Sequence, residues 1–517
     1  MTTSEAEPAA VQPAAEIVEN AENAAIVEIE QGRLRGVTVD GVRSFKGIPY
    51  AAPPFGTRRF QAPAPAAGWD GERDASQYGP TVPKPPYPSP IDEILPEPSI
   101  EGDDVLNLNV WTPVGAAGDA LPVFVWIHGG AFVNGTGAVS AYDGSRFARD
   151  GVVCVTINYR LGADGFLLID GAPANRGLLD QIAALEWVQR NIAAFGGDPE
   201  QVTIGGESAG AMSVTTLLAL APARGLFRAA ITESGAGHHV HSAATAAKIT
   251  AALASRLGVE ATVEGFDSVA IPDLMQAQAT LARDIALMPD PGQWGEVAAN
   301  MMAFEPCIDG EFITQLPVQA LAAGDSSGVR LLTGTNTDEH TLFLVPSGIE
   351  DAVNDQALLY ILGSLGADAP SAVAAYRDGL PDATDGQLFT AALTDWFFRI
   401  PAVRVAEGRA GQGSDTYMYE FAWRSPQYDG RLAATHALEI GFAFDNLDDA
   451  NLVPAAGPNP PQSLADTMHA AWVSFIKTGE PGWPVYGDAR TVQVFDTECQ
   501  VVTDPRAAQR LVWEGIR

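Results

Sequence analysis

The sequence predicts an α/β fold in which a mostly parallel sheet carries helices on both faces. Apolar runs with the length of buried strands recur along the chain, at 123–127, 152–158, 202–204, 229–232 and 329–333. Helical patterns lie between them. The clearest spans 175–197, with Leu178, Ile182 and Leu185 spaced by three and four residues. Alternation of strands and helices is typical of a parallel sheet covered on both sides.

The 517 residues are assigned to one large domain preceded by a short tail. Residues 1–25 are rich in Ala, Glu and Pro and contain no Lys or Arg, which predicts a flexible acidic tail. Residues 26–517 form the domain, and Ala-rich helical stretches at 240–325 and 350–415 are interpreted as insertions over the sheet. Such insertions explain the length without a second domain.

The composition excludes several functional classes. With 30 Lys and Arg against 64 Asp and Glu, the formal charge is −34, which disfavours binding to nucleic acid or to an anionic membrane surface. No apolar run reaches the roughly 18 residues of a membrane span. The three cysteines, Cys154, Cys307 and Cys499, lie too far apart in sequence for a disulfide framework or a zinc motif. Because the tail also lacks the features of a secretory signal, we expect a cytoplasmic protein.

The segment Gly206-Glu-Ser-Ala-Gly210 carries the chemistry. It fits G-x-S-x-G between a strand and a helix, where a tight elbow exposes the serine hydroxyl and requires small residues on either side. Ser208 is therefore the predicted nucleophile. The alternative, a glycine-rich turn with a capping serine, leaves the remaining motifs unexplained.

Acyl transfer also needs N–H donors for the oxyanion that forms on the substrate. Gly129 and Gly130 follow the strand at 123–127, and glycines there leave backbone N–H groups unobstructed. The third donor is the N–H of Ala209, the residue after the nucleophile. A simple Gly-Gly turn after a strand is the structural alternative.

A serine nucleophile needs a base, and the base needs an acid to orient it. Chain order in α/β-hydrolases is serine, acid, histidine, which excludes His128. His469 falls in a helical stretch at 463–476, and His340 lies directly beside the candidate acids. His436 is therefore the predicted base. For the acid, Asp338 and Glu339 both follow the strand at 329–333, and residue chemistry alone does not separate them.

Pocket residues are less well defined. Phe132 follows the two oxyanion glycines, and Phe397 with Phe398 can supply an aromatic wall, although a plain helix core is an equal alternative. His238 lies in a cluster with His239 and His241, interpreted as lining or flanking the acyl side of the pocket. A metal site there lacks a carboxylate or distant ligand, so no metal is predicted.

Ordered motifs make the chain similar to the type-B carboxylesterase/cholinesterase family, especially its bacterial para-nitrobenzyl-esterase-like and carbamate-hydrolysing members. The resemblance covers about residue 27 to the C-terminus, and it rests on 45–54, 106–111, 128–132, 158–162, 180–199, 206–210 and 334–339. It implies the α/β-hydrolase fold, Glu339 as the acid and His436 as the base. It also implies two structural ion pairs, Arg59 with Asp103 and Arg160 with Asp180.

The chain departs from the family pattern at several positions. Val105 replaces a cysteine, which removes a common disulfide, and His340 replaces the usual glycine after the Asp-Glu pair. Asp164 stands where an apolar residue is common, and Glu233 stands where glutamine is common.

The expected function is hydrolysis of small to medium acyl or aryl esters by a Ser-His-Glu triad through an acyl-enzyme. No cofactor is expected, and the partner is a small-molecule ester. A carbamate or amide hydrolase on the same triad is the alternative, and a non-catalytic binding or adhesion scaffold is the remote one.

Overall fold

The computed structural model describes residues 24–116 and 118–517. The predicted tail, residues 1–25, lies outside the described residues except for Ala24 and Ala25. These two residues begin the first strand. The alternation of their neighbours between exposed and buried positions is typical of a strand with one face on the core.

Thirteen strands of the described residues form one sheet. They are β1 (Ala24–Ile29), β2 (Gly32–Val39), β3 (Val42–Pro49), β4 (Glu72–Asp74), β5 (Asn107–Pro113), β6 (Leu121–Ile127), β7 (Val153–Ile157), β8 (Gly197–Glu207), β9 (Ala229–Glu233), β10 (Arg330–Asn336), β11 (Thr416–Phe421), β12 (Thr491–Phe495) and β13 (Gln500–Thr503). Their order is β1-β2-β3-β5-β7-β6-β8-β9-β10-β11-β12-β13, and β4 pairs with β2.

The centre of the sheet is parallel and its edges are antiparallel. Strands β7, β6, β8, β9, β10, β11 and β12 run parallel to one another. Strands β1, β2, β3, β5 and β7 pair antiparallel, as do β12 and β13. All five residues of β7 and of β9 are buried, as continuous apolar runs predict for strands covered on both faces. The predicted α/β class and the mostly parallel mixed sheet are therefore confirmed.

Helices cover the sheet and fill the long insertions. They are α1 (Ile91–Ile94), α2 (Ser145–Arg149), α3 (Gly162–Phe166), α4 (Arg176–Asn191), α5 (Ala209–Ala219), α6 (Ala243–Leu257), α7 (Val263–Asp267), α8 (Ile271–Leu287), α9 (Pro291–Trp294), α10 (Val297–Asn300), α11 (Pro317–Ala322), α12 (Thr341–Leu344), α13 (Ile349–Ala352), α14 (Asp355–Ser364), α15 (Ala369–Gly379), α16 (Asp385–Thr394), α17 (Ile400–Arg409), α18 (Ile440–Ala443), α19 (Val453–Ala456), α20 (Gln462–Thr478) and α21 (Ala507–Val512). The Ala-rich stretches are helical, as predicted.

The boundaries differ from the sequence prediction around α4. The pattern at 175–197 becomes an α-helix only as far as Asn191, and a 3-10 turn over Ile192–Phe195 follows. Gly196 then adopts the left-handed conformation, φ 87°, and it blocks further helix as predicted for a capping glycine. Strand β8 starts at Gly197, five residues before the apolar run, because backbone pairing with β6 extends beyond the hydrophobic positions.

One of the two ion pairs implied by the resemblance is present and the other is not. Arg160 Nη2 lies 2.7 Å from Asp180 Oδ1, and both side chains are buried. Arg59, however, pairs with Asp164 of α3, with Nε 2.9 Å from Oδ1, instead of with Asp103. Asp164, which stands where an apolar residue is common in the family, therefore supplies the ion-pair partner of Arg59.

Among the described residues no single helix combines the length and the apolar character needed to cross a bilayer; α14 and α15 together reach these criteria but are bent by 117° at their junction. The three cysteines carry free thiols, and only Cys499 is exposed.

Candidate active site

The nucleophile elbow joins β8 to α5. Ser208 has φ 54° and ψ −124°, a conformation that non-glycine residues seldom adopt and that is held here by the surrounding packing. Its N–H donates to the carbonyl of Glu233 at 2.9 Å. A Cβ on Gly206 would lie 2.6 Å from the carbonyl oxygen of Ile127, and one on Gly210 would lie 2.0 Å from that atom. The two glycines are therefore required by the close passage of β6, as the motif predicts.

The predicted oxyanion donors stand beside the nucleophile. A Cβ on Gly129 would lie 3.0 Å from the Cβ of Ser208 and 2.7 Å from Oε2 of Glu207, so the loop after β6 touches the elbow directly. Gly130 has φ 107°, a backbone conformation that residues other than glycine rarely adopt. Within residues 24–116 and 118–517, the N–H groups of Gly129, Gly130 and Ala209 donate to no backbone carbonyl outside their own elements.

The base and acid come together from separate loops. Nδ1 of His436 lies 2.7 Å from Oε2 of Glu339, and the other oxygen of Glu339 accepts from the N–H of Asn336 at 2.8 Å. Asp338, the other candidate acid, instead accepts from Arg424 at 3.2 Å and from the hydroxyl of Thr337 at 2.6 Å. Of the two candidate acids, only Glu339 contacts the imidazole of His436.

The other histidines weighed as bases have structural surroundings. His469 lies in α20, where Nδ1 is 2.8 Å from the carbonyl oxygen of Ala443 and Nε2 is 3.1 Å from Asp150. His128 stacks on Tyr159 with ring centroids 4.5 Å apart. Neither His469 nor His128 forms a hydrogen bond from its ring to the elbow at 206–210. Both positions therefore agree with the sequence analysis, which excluded these two histidines as the base.

The sequence analysis assigned no role to Glu207, which the structure places in the site. Its Oε1 lies 3.0 Å from Nε2 of His436, the nitrogen that must face the nucleophile. Among the described residues Ser208 makes no hydrogen bond to this nitrogen, whereas Glu207 lies within ion-pair distance of it. In the sequence the only signal was a buried glutamate directly before the nucleophile, at the end of an apolar strand.

These contacts set the protonation of the base. Burial lowers the pKa of His436, but the charge of Glu207, the hydrogen bond to Glu339 and the charges of Glu339 and Glu439 raise it, to about 9 overall. Burial also raises the pKa of Glu207, against the attraction of His436. The two groups therefore compete for protons at the face of the ring that a substrate approaches.

Two more buried glutamates stand behind the triad. Glu439 accepts from Ser234 at 3.1 Å and from Asn336 at 2.5 Å. Glu233 pairs with Glu207 in the register of β9 with β8, and its Oε1 accepts from the indole N–H of Trp472 at 2.7 Å. Burial raises the pKa of both carboxyl groups, and neighbouring carboxylates raise it further. Burial and the neighbouring carboxylates therefore favour the protonated forms of these two groups.

Aromatic side chains line one side of the catalytic histidine. The ring of Phe398 lies 4.6 Å from that of His436, and Phe397 lies 4.6 Å from Phe398. Both belong to a π-helical turn, Asp395–Arg399, between α16 and α17. The imidazole of His340 packs against both phenylalanines, at 5.7 and 5.4 Å. This turn places the two predicted pocket residues next to the base.

The remaining predicted pocket residues lie in different surroundings. Phe132 is fully buried, and its ring packs at 4.9 Å against Phe166 in the core. The oxyanion loop turns the ring inward, because Ala131 and Phe132 both have positive φ. His238 is partly exposed and follows Gly235, whose Cβ would lie 2.3 Å from the carbonyl oxygen of Ser208. Among the described residues no group of three or more His, Cys, Asp or Glu side chains is arranged to hold a metal ion.

The sequence matches known proteins over nearly its whole length. The profile of the Carboxylesterase family matches residues 23–502. The chain is 38% identical to the para-nitrobenzyl esterase of Bacillus subtilis, over 94% of this chain and 97% of that protein. It is 35% identical to the phenmedipham hydrolase of Pseudarthrobacter oxydans, over 93% and 97% respectively.

Solved structures show the same relationship. A carboxylesterase of Geobacillus stearothermophilus superposes with a TM-score of 0.82 at 37% identity, covering 94% of this chain and 99% of that one. A PNB esterase structure gives a TM-score of 0.81 at 36% identity with the same coverage. With the family profile, these matches establish an α/β-hydrolase of the carboxylesterase type. The chain therefore belongs to the carboxylesterase family, and it is an enzyme that hydrolyses carboxylic esters.

Proposed function

We propose that Ser208, His436 and Glu339 form the catalytic triad for small to medium acyl or aryl esters. The observation that carries this proposal is the placement of His436, with Nδ1 2.7 Å from Glu339 and Nε2 3.0 Å from Glu207, the residue directly before Ser208. A carboxylate on one imidazole nitrogen orients the ring and stabilises the imidazolium that forms during the reaction.

The reaction proceeds in two stages. His436 takes the proton of the Ser208 hydroxyl, and Oγ attacks the ester carbonyl carbon. The N–H groups of Gly129, Gly130 and Ala209 bind the oxyanion, and each such donor contributes about 10²–10³ in turnover. His436 then protonates the leaving alcohol, and a water molecule deprotonated by the same imidazole releases the acid from Ser208.

The strained backbone of Ser208 and the buried contacts of Glu339 hold the reacting groups in place during both stages. Ser208 is held at positive φ by packing, so its hydroxyl does not need to reorganise during attack. Glu339 is completely buried and bonded to the N–H of Asn336, which keeps the acid from turning away from the imidazole.

The test compares 4-nitrophenyl acetate, butyrate and octanoate on the wild-type enzyme and on Ser208→Ala. We expect Ser208→Ala to show neither an initial burst of 4-nitrophenol nor steady-state turnover with any of the three esters. The matched control is Ser474→Ala, because Ser474 lies on α20 and its hydroxyl only bonds the carbonyl of Glu480. Equal rates for wild type and Ser208→Ala would refute the assignment of the nucleophile.

A second pair of variants tests the acid. We expect Glu339→Gln to lower kcat by about 10³–10⁴, as removal of the orienting carboxylate does in triads of this type. Asp338→Asn is the matched control, since its carboxylate faces Arg424. A large loss in Asp338→Asn with normal activity in Glu339→Gln would transfer the role to Asp338.

Carbamate hydrolysis is the second candidate function, and one comparison favours it. A phenmedipham hydrolase is 35% identical over most of the chain. A carbamate reacts through the same serine, with a carbamoyl-enzyme in place of the acyl-enzyme. Turnover of an aryl N-phenylcarbamate at a kcat/KM near that of the butyrate ester would support this function, and stoichiometric inactivation without turnover would exclude it.

We also propose a cytoplasmic location and a single domain over residues 26–517. Three unpaired thiols support a reducing compartment. The single sheet supports one domain, because β1 and β13 come from opposite ends of the described chain. Fractionation of the native host and limited proteolysis of the purified chain test these two proposals.

A further inference from the structure

A proline-rich segment, residues 80–98, forms a loop that packs against the loop carrying the oxyanion donors. The base of this proline-rich loop is closed, because the N–H of Thr81 donates to the carbonyl of Ile100 at 2.9 Å and the N–H of Ile100 donates to the hydroxyl of Thr81 at 3.0 Å. Proline fixes φ and restricts the backbone in the unfolded chain as well. The loop therefore presents its side chains with little further loss of conformational freedom.

Glu97 of the proline-rich loop accepts two hydrogen bonds from the oxyanion loop, which comprises residues 128–137. Its Oε2 accepts from the N–H of Gly135 at 2.7 Å, and its Oε1 accepts from the side-chain amide of Asn134 at 3.1 Å. The same amide donates to the carbonyl of Pro85 at 2.6 Å. The side chain of Glu97 is 9% exposed and Asn134 is buried. These contacts therefore join two segments that are distant in sequence, and they are shielded from water.

Lys84 compensates the charge of this carboxyl group. Its Nζ lies 3.9 Å from Oε2 of Glu97 and donates to the carbonyl of Pro98 at 3.0 Å, and its side chain is only 3% exposed. Burial raises the pKa of Glu97, whereas the charge of Lys84 and the hydrogen bonds from Gly135 and Asn134 act in the opposite direction. A buried carboxyl group with two donors and a nearby cation is an acceptor of fixed orientation.

The peptide group that joins Asn134 to Gly135 lies directly against Gly130. A Cβ on Gly130 would lie 2.3 Å from the carbonyl oxygen of Asn134 and 2.9 Å from the nitrogen of Gly135. The N–H groups of Val133 and Asn134 donate to the carbonyl of Gly130 at 2.9 and 2.8 Å. The peptide group that Glu97 holds is therefore packed on a residue whose N–H is a proposed oxyanion donor.

Gly135 also touches the peptide group between Gly129 and Gly130. A Cβ on Gly135 would lie 2.3 Å from the carbonyl oxygen of Gly129. Nδ1 of His128 lies 2.8 Å from the same oxygen, and it carries the proton because a carbonyl oxygen only accepts. The carbonyl of Gly129 and the N–H of Gly130 belong to one planar peptide group. Contacts that fix this oxygen therefore also fix the direction of the Gly130 N–H.

From this arrangement we propose that Glu97 is a positioning residue for the oxyanion hole. Its carboxyl group holds the peptide group at 134–135 against Gly129 and Gly130, and this contact sets the direction of the Gly130 N–H. Glu97 acts through these residues and does not touch the substrate. The inference rests on the proposed ester hydrolysis at Ser208. A small displacement of such a donor is costly in rate, because the oxyanion must be bound in one geometry.

The first test compares kcat and KM for 4-nitrophenyl butyrate in the wild type and in Glu97→Ala. Rates are expressed per active site, counted by the stoichiometric release of 4-nitrophenol from diethyl 4-nitrophenyl phosphate. We expect kcat to fall about 10- to 100-fold with KM close to that of the wild type, because the oxyanion is bound only in the transition state. The matched control is Glu93→Ala, an exposed acid of the same loop whose side chain has no hydrogen bond or ion pair within residues 24–116 and 118–517. Wild-type kcat in Glu97→Ala would overturn the proposal.

A second measurement separates an effect on the oxyanion hole from a general effect on the fold. Oγ of Ser208 adds to the carbonyl carbon of an octyl trifluoromethyl ketone, its proton passes to His436, and the resulting oxygen anion occupies the oxyanion hole. The corresponding alcohol has the same chain but cannot form this adduct. We expect Glu97→Ala to raise the inhibition constant of the ketone by the factor by which it lowers kcat/KM, and to leave that of the alcohol unchanged. Equal changes for the ketone and the alcohol, or no change for the ketone, would contradict the role of Glu97.

Glu97→Gln provides the conservative variant. Glutamine keeps the length of the side chain and one acceptor oxygen, so it can hold Gly135 or Asn134 but loses the second acceptor. We expect its kcat and its affinity for the ketone to lie between those of the wild type and of Glu97→Ala. Wild-type values, or values below those of Glu97→Ala, would overturn the proposal. If Glu97→Ala does not fold, the comparison of ketone and alcohol is made on Glu97→Gln alone.

These outcomes are distinct from a failure of the proposed function. If the wild type hydrolyses no ester and forms no adduct with the ketone, hydrolysis at Ser208 is refuted whatever Glu97 does. If the wild type shows both reactions and Glu97→Ala shows them unchanged, only the positioning role of Glu97 is refuted.

Discussion

Replacing Glu207 by glutamine removes a negative charge 3.0 Å from Nε2 of His436 and keeps the shape of the side chain. In the wild type burial lowers the pKa of the imidazole, and that charge, together with Glu339 and Glu439, raises it to about 9. His436 acts as a base only when neutral, so activity is lost as the pH falls through this value. We predict that Glu207→Gln shifts the acid limb of the kcat/KM profile to lower pH.

The size of the shift follows from the geometry. At an effective dielectric constant near 20, two unit charges 3.0 Å apart interact by about 5 kcal/mol, which is an upper limit. Burial raises the pKa of Glu207, so this carboxyl carries a full charge only part of the time. We therefore expect a shift of about 1–3 pKa units, the range for an opposite charge within a few ångströms. Each unit corresponds to about 1.4 kcal/mol.

The assay is the pH dependence of kcat/KM for 4-nitrophenyl butyrate, because this parameter reports the free enzyme. The matched control is Glu350→Gln, which removes another buried glutamate, one that pairs with Arg431 away from the imidazole. The control should leave the acid limb in place. A limb that stays fixed in Glu207→Gln, or that moves to higher pH, would refute the role of this charge.

Three further predictions concern the oxyanion loop, the core and the thiols. Gly129→Ala should lower kcat by at least about 10²-fold, because the added Cβ would lie 2.7 Å from Oε2 of Glu207 and displace an oxyanion donor. Arg160→Ala should lower the free energy of unfolding in urea by about 3–5 kcal/mol, because it leaves Asp180 buried without its partner. Titration with an aromatic disulfide should label only the thiol of Cys499 in the native protein and all three cysteines in denaturant.

Each of these has an outcome that contradicts it. Near-normal turnover in Gly129→Ala would show that the loop relaxes away from the elbow. For the ion pair, Arg190→Ala is the control, since Arg190 pairs with Glu30 at the surface and such pairs contribute about 0–1 kcal/mol. An equal loss of unfolding free energy in Arg160→Ala and Arg190→Ala would show that the buried ion pair contributes no more to stability than the exposed one. Labelling of a second thiol in the native protein would show that its burial is not maintained.

The sequence by itself determined the features that depend on local chain geometry. The α/β class was predictable because strands buried on both faces are mostly apolar, as β7 (Val153–Ile157) is in four of its five residues. The elbow was predictable because Gly206 and Gly210 have no room for a side chain beside β6. His436 was also identified from the sequence, because the order of triad residues and the helical setting of His469 left few alternatives.

Tertiary structure decided what depends on neighbours from distant parts of the chain. Whether Glu339 or Asp338 orients the base follows from which carboxylate the loop after β10 directs at His436. The role of Glu207 required the position of a loop more than two hundred residues away. Likewise Arg59 pairs with Asp164, because α3 brings that carboxylate to it. Charge interactions depend on distance in space and on burial, and a one-dimensional pattern contains neither.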